Sequence, residues 1–435
     1  MVLLELCGWF RLQYSLFQDG VRFPVCGGII RYEECDSVVM RVSMSVCQTV
    51  TSFLVLLLTT VPGSLTSSEA PPVPGECLPS VFRDGADHSL HLLCHLSAIN
   101  SQAEKTNFSM VPAQHTASLT VRCTDKISVS YLEPRGFRSL VWLEELSIED
   151  CNLETIPDRA FQGLTKLRSL SIRSSSSGVV SVSRGSFEGL ANLHSLDLSM
   201  NKVRLTESGV LCSMPSLVYL NLSNTDLGSV ANLGLTTVLS QAKCLRYLRT
   251  LDLSHNRLTS ISSQDMLNFP SIEKVDLSFN FIRSLDNDSF EFNKDLSDLD
   301  ISNNHLSHLH SQLFTKSRLS HLSVANNSLT SVPSEVFSQQ ENLQYLDLSG
   351  NLLESSELKP TLFAGCPNLV ELYLHNNRYV PAMQSTKISS LEKNTKRLQV
   401  IIKPTHTTLC SENIVTFLFY PTRFAYYNIL RRNYP

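Results

Sequence analysis

The chain has 435 residues, 42% hydrophobic and 17% charged, with a formal net charge of −4. A mildly acidic balance carries no basic footprint for nucleic acid, and no nucleic-acid partner is expected. The length fits two or three ordinary domains, but an internal repeat overrides that count.

In chain order, residues 40–66 are expected to be a secretory signal. Met40 and Arg41 supply a start and a positive end, Phe53 to Leu58 form a short apolar core, and Pro62, Gly63 and Ser64 offer a cleavage region. The core is short for a membrane span, and a signal anchor is the alternative. A secretory signal should open a chain, so translation is expected to start at Met40 or Met44, with residues 1–39 an upstream extension of the gene model. Of the 12 cysteines, Cys7, Cys26, Cys35 and Cys47 precede or enter this signal and stand outside any disulfide framework.

Residues 67–125 are read as a leader and an N-terminal cap that covers the open apolar end of the first repeat. Leu119, Val121 and Cys123 alternate and predict a strand. Cys77, Cys94, Cys123 and Cys151 are disulfide candidates in an oxidising compartment, with connectivity left open.

Residues 126–378 carry a repeated spelling, L-x-x-L-x-L-x-x-N-x-L, as in Leu248, Leu251, Leu253, Asn256 and Leu258. The opening apolar residues fall at Leu143, Leu167, Leu193, Leu217, Leu248, Ile272, Leu296, Leu319, Leu343 and Leu369, with spacings of 24, 26, 24, 31, 24, 24, 23, 24 and 26. This is the leucine-rich repeat signature. It predicts an α/β repeat, a curved solenoid whose short strands pair into a parallel concave sheet. Asn201, Asn256, Asn280, Asn304, Asn327, Asn351 and Asn377 form a ladder. Their amides both donate and accept, and are expected to satisfy backbone groups inside the coil. Cys151 and Thr225 replace asparagine in two turns.

A second register consists of Phe137, Phe161, Phe187, Phe290, Phe337 and Phe363, six residues before the next opening leucine, with Phe314 five before. A stacked core spine is expected in preference to a ligand box. The 31-residue turn holds an insertion near Asp226–Lys243, bracketed by Cys212 and Cys244. A disulfide stapling it is one reading and two buried thiols the other. The 26-residue turn after Leu167 carries a polar bulge at Ser174–Gly178. After Asn377 the pattern stops. Residues 379–435 are expected to be a non-repeat tail foreign to the fold, with no stretch long enough to span a bilayer.

Among candidate site residues, Asn107, Asn221, Asn287 and Asn326 begin glycosylation sequons. Asp197, Asp252, Asp276, Asp300 and Asp347 share one strand position, either an acidic strip for a basic ligand or common repeat spelling, the second reading being favoured. Asn221 shares that column, so a glycan there would push a ligand to a lateral edge. His305, His308, His310 and His321 fall within two turns and read as solvated loop residues before a pH switch. No nucleophile has an adjacent base and no cysteine or histidine spacing fits a metal, so no enzyme and no cofactor are expected.

Cys77 to Cys94, Asn107-Phe-Ser, Leu119–Asp125 and the run from Leu146 to Cys151 together resemble the start of a Toll receptor ectodomain, nearest the long invertebrate Toll branch that includes 18-wheeler and Tollo. The pair Cys212 and Cys244 around an insertion resembles the same branch, and the likeness runs over about residues 77–378. The resemblance implies an extracellular face that binds a protein ligand, a Spätzle-type cystine-knot cytokine, and leaves room for receptor self-association. It implies secretion, or display outside the plasma membrane through a span absent from this sequence. The signalling half is also absent, so the expected product is the recognition part of a receptor. An adhesion protein and a secreted decoy receptor are the alternatives.

Overall fold

The computed structural model describes residues 77–79, 90–101, 105–174, 178–235, 244–354, 356, 360–378, 399–401 and 416–417. All belong to one compact unit, Ala70–Pro435. The expected signal at residues 40–66, residues 1–39 and the tip of the insertion lie outside the described residues.

The architecture is a leucine-rich-repeat solenoid. One 15-stranded sheet runs through the described residues. It opens with β1 (Cys77–Pro79), β2 (Leu90–Leu96) and β3 (Thr116–Cys123). β4 (Glu145–Glu149), β5 (Ser169–Arg173), β6 (Ser195–Asp197), β7 (Tyr219–Asn221) and β8 (Thr250–Asp252) follow. β9 (Lys274–Asp276), β10 (Asp298–Asp300), β11 (His321–Ser323), β12 (Tyr345–Asp347) and β13 (Glu371–Tyr373) complete the repeats. From β2 to β13 each strand pairs parallel with the next, in register as in Leu251↔Val275↔Leu299 apart from one shift at Leu90/His91 in the β2–β3 pair. One turn per strand keeps every pair local in sequence, which is how a parallel sheet forms here without long helical crossovers.

The helical share of the repeat is slight. The other side of the coil is built of turns, 3-10 segments such as Val210–Ser213, and a four-residue α-helix, Ser263–Met266. Turns of about 24 residues leave too little chain for a full helix. The phenylalanine register is a stacked core: Phe137, Phe161 and Phe187 succeed one another at 6.0 and 6.4 Å, Phe290 and Phe314 at 6.2 Å, Phe337 and Phe363 at 6.4 Å. Leu211 and Met266, both fully buried, take the same offset where the aromatics lapse.

The asparagines are buried and tie adjacent turns together. Asn280 Nδ2 donates to Leu253 O at 2.9 Å and to Leu277 O at 3.1 Å, and its Oδ1 accepts the Leu258 N–H at 3.0 Å. Asn304 repeats this with Leu277, Ile301 and Ile282. Thr225 covers part of the role: its hydroxyl donates to Leu222 O at 2.7 Å while Asn256 Oδ1 accepts its N–H at 3.0 Å. The residue before each ladder asparagine is left-handed, from Met200 (φ 61°) through His255, Phe279, Asn303, Asn326 and Gly350 to Asn376 (φ 54°).

At the N-terminal end, β1 pairs antiparallel with β2, and Cys77 is bonded to Cys94 across that pair. Cys123 is bonded to Cys151, which fixes the first repeat strand to the cap and explains the missing asparagine there. Cys212 is bonded to Cys244, closing the base of the insertion. The alternation of Leu90, Leu92 and Cys94 was a legible signal for β2, but Leu93 and His91 between them blur it.

Beyond the last asparagine the sheet continues. β14 (Gln399–Ile401) pairs parallel with β13, and β15 (Thr416–Phe417) pairs antiparallel with β14. An extended trio with β-branched residues can join an open sheet edge by backbone pairing, which needs no asparagine spelling. The other residues of 379–435 lie outside the described set.

Candidate ligand-binding face

Alternation along each strand buries the leucines and turns the intervening residues outward. Two outward columns result. The first runs Ser195, Tyr219, Thr250, Lys274, Asp298, His321, Tyr345, Glu371, and the second runs Asp197, Asn221, Asp252, Asp276, Asp300, Ser323, Asp347, Tyr373.

The aspartates of the second column have a structural task. One carboxylate oxygen of each accepts the backbone N–H two residues on, at 2.8 to 2.9 Å, as in Ser254 to Asp252 and Ser349 to Asp347. Asn221 does the same for Ser223 at 2.9 Å. These side chains brace the exit from each strand, so the repeat spelling explains their presence. The second oxygen of Asp197 meets Arg173 at 3.8 Å, and that of Asp347 lies 3.5 Å from the Tyr345 hydroxyl.

The N-terminal part of the face is a chain of ion pairs. Arg122 lies 2.5 Å from Glu149, Arg173 lies 3.3 Å from Glu149, and Arg173 lies 3.8 Å from Asp197. Burial pushes the Glu149 carboxyl up, but the Arg122 hydrogen bond and charge, with Ser147 and Arg173, outweigh it and hold it below the ordinary range. The hydrogen bond to Glu149 likewise raises Arg122. Charge here is balanced within the molecule.

The C-terminal part is aromatic. His321 stacks on Tyr345 at 5.9 Å, and Tyr345 meets Tyr373 at 5.2 Å. The Tyr373 hydroxyl donates to Glu371 Oε2 at 3.0 Å. Burial, then the neighbouring carboxylates, raise the hydroxyls of both tyrosines above their ordinary value. The sequence spelling concealed this patch, because Tyr345, Tyr373 and His321 occupy variable positions with no period of their own.

The four histidines do not gather. His321 is on the sheet face, His308 and His310 meet edge-on at 5.2 Å, and His305 tilts against Phe281 at 5.8 Å. At the lateral edge His255 stacks on the exposed Phe279 at 4.3 Å. Asn107, Asn287 and Asn326 are exposed and Asn221 is half-buried in the sheet column. Cys366 is a buried free thiol whose burial pushes it up to about 12, which keeps it from acting as a thiolate nucleophile. Among the described residues no cluster of histidine, cysteine, aspartate and glutamate is arranged to hold a metal, and no helix is long and apolar enough to cross a membrane.

The family Leucine rich repeat matches residues 174–227, 270–318 and 317–378, and Leucine Rich repeats (2 copies) matches 248–291. Toll-like receptor 7 of Drosophila melanogaster is 30% identical over 183 residues, covering 40% of this chain and 13% of that receptor. Toll-like receptor 3 of Homo sapiens is 26% identical over 230 residues, covering 52% of this chain and 23% of the receptor. Lumican of Gallus gallus is 29% identical over 144 residues, covering 33% and 39%. Among solved structures, a Drosophila Toll–Spatzle complex superposes with a TM-score of 0.50 at 18% identity, covering 67% of this chain and 40% of that one, a likeness of fold. The chain thus spans under a quarter of the length of the two Toll-like receptors and 40% of the Toll–Spatzle structure's chain. It is a leucine-rich-repeat solenoid, and Toll-like receptors are among its relatives.

Proposed function

We propose that this chain is the extracellular ligand-recognition part of a Toll-type receptor of the long invertebrate branch, acting in immune or developmental signalling. The observation that carries the reading is the outward sheet face, which ends in clustered aromatic and carboxylate side chains on a disulfide-braced scaffold. Tyrosines held rigidly within a polar surface are typical anchors of protein interfaces. The similarity to Toll-like receptors over 40% of the chain supports the same direction.

The ligand is a secreted protein, a cystine-knot cytokine of the Spätzle type. The solved fold neighbour is Toll bound to such a protein, which is a property of that complex and the reason for this choice. Residues 40–66 direct secretion, and glycans sit on Asn107, Asn221, Asn287 and Asn326 in the mature chain. Glycopeptide mass spectrometry of the secreted protein tests those four positions. A glycan at Asn221 directs the ligand to the C-terminal half of the face or to the lateral edge.

Binding of the secreted full chain to purified Spätzle-type dimers, followed by hydrogen-exchange footprinting, tests the assignment. The expected result is protection of strands β8 to β13. Absence of binding to every such dimer removes the cytokine, and protection confined to the turn side removes the sheet face. A second reading is an extracellular adhesion protein, since leucine-rich-repeat proteins other than Toll-like receptors, lumican among them, also match. Aggregation of cells displaying the chain, with no cytokine present, is the outcome that selects it.

A further inference from the structure

The last four repeat strands, β10 to β13, place a grid of eight outward side chains on the sheet face. One row is Asp298, His321, Tyr345 and Glu371, and the row beside it is Asp300, Ser323, Asp347 and Tyr373. Neighbouring strands lie about 4.8 Å apart, so the grid is a continuous surface about 15 Å across. Four of its members are carboxylates and none is lysine or arginine. Lys274 on the adjoining strand reaches only Asp298, at 3.5 Å. The contrast with the other end of the face is sharp, since there Arg122 and Arg173 neutralise Glu149 and Asp197.

The aromatic members are arranged as a platform. Tyr345 is stacked on one side by His321 and met on the other by Tyr373, and both tyrosines are half-buried, which fixes their rings. Their hydroxyls lie within 3.5 Å and 3.0 Å of Asp347 and Glu371. Burial, followed by the charge of the same carboxylates, raises both hydroxyls. Only one oxygen of Asp300 and of Asp347 is engaged by the strand-exit N–H. A rigid aromatic surface ringed by carboxylates attracts a cation twice over, through the ring quadrupole and through charge.

We propose that this grid is the docking patch for a cationic segment of a protein partner, an arginine- or lysine-bearing strand or loop. The aliphatic stem of a basic side chain lies across Tyr345 and Tyr373, and its charged head meets Asp347 and Glu371, while Asp300, two strands away, is open to a second basic residue of the segment. The proposal deepens the reading of the chain as a ligand-binding receptor part and rests on it. An acidic or purely apolar partner is disfavoured here, because it would bring like charge to the carboxylates or bury them unpaired.

The test is calorimetric titration of the secreted full chain with a hexa-arginine peptide at low salt, with hexa-glutamate as the opposite-charge control. Hexa-arginine is expected to bind, weakening as salt rises, and hexa-glutamate is not. Tyr345→Ala combined with Tyr373→Ala is expected to weaken binding roughly tenfold. Glu371→Gln, which keeps the shape, is expected to weaken it several-fold. Asp286→Asn, at an exposed carboxylate outside the grid, is expected to leave it unchanged. Circular dichroism and elution volume verify that each variant is folded. Equal affinity in all variants, or no binding of hexa-arginine, overturns the proposal. If the peptide fails while a protein ligand still protects strands β8 to β13, only the cationic docking patch is lost. A ligand footprint away from the sheet face removes the proposed binding face itself.

Discussion

Asn304 illustrates what one side chain does in this coil. Its amide serves the turn before it through Leu277 O and Ile282 N, and its own turn through Ile301 O. Alanine would strand the Ile282 N–H in a dry interior, where an unmet group costs about 1–3 kcal/mol, and would take one of two side-chain partners from Leu277 O and Ile301 O, which Asn280 and Asn327 still serve. Asn304→Ala is therefore expected to lower stability by about 1–3 kcal/mol, read as a lower urea midpoint. Asn304→Thr should recover part of the loss, since Thr225 already returns a hydrogen bond to its own turn. An unchanged midpoint in the alanine variant would contradict this account of the ladder. The ladder was legible in the sequence because the same geometry demands the same residue in every turn. The strand-exit role of Asp252 or Asp300 was less legible, because carboxylates at one position fit an acidic strip equally well until hydrogen bonds assign an oxygen of each to the backbone.

Among elements, the joins between cap, repeats and insertion are decided by covalent and ionic ties. The Cys212–Cys244 bond closes a loop separated by 32 residues. Replacing both cysteines with serine is expected to cost about 3 kcal/mol, mainly by freeing the unfolded chain, and to lower the thermal midpoint. Native stability matching wild type would show that the bond does not staple the insertion. The ion pairs linking β3, β4 and β5 add a pH dependence. Glu149 is held below the ordinary carboxylate range in the folded state, so its contribution is present above the unfolded value and lost as pH falls through the folded one. Glu149→Gln should therefore cost about 1–2 kcal/mol near neutral pH, with the gap closing in acid. Urea titrations at both ends of that range check the sign. A gap that widens in acid would contradict it. The position of Cys212 and Cys244 around the insertion made a staple one of two readings, whereas Cys77, Cys94, Cys123 and Cys151 allowed several pairings until the strands were placed.

At the scale of the whole array, each turn rests on its neighbours, so damage should stay local. Hydrogen exchange after Asn304→Ala is expected to speed up in the turns carrying Leu277, Ile301 and Val324, with the β2–β3 cap unchanged. Uniform acceleration along the chain would mean that the array unfolds as one cooperative block. The sequence by itself determined the repeat, its period, the buried asparagines and the phenylalanine core, because these are one local geometry written again in every turn. Only the tertiary structure decided which variable residues become neighbours. His321, Tyr345 and Tyr373 are about one repeat apart in sequence and carry no pattern, yet parallel pairing sets them side by side. The same pairing neutralises Arg122 and Arg173 at one end of the face and leaves Asp347 and Glu371 beside aromatic rings at the other. A binding surface of this kind is assembled across turns, at strand spacing, and one-dimensional spelling has no register in which to record it.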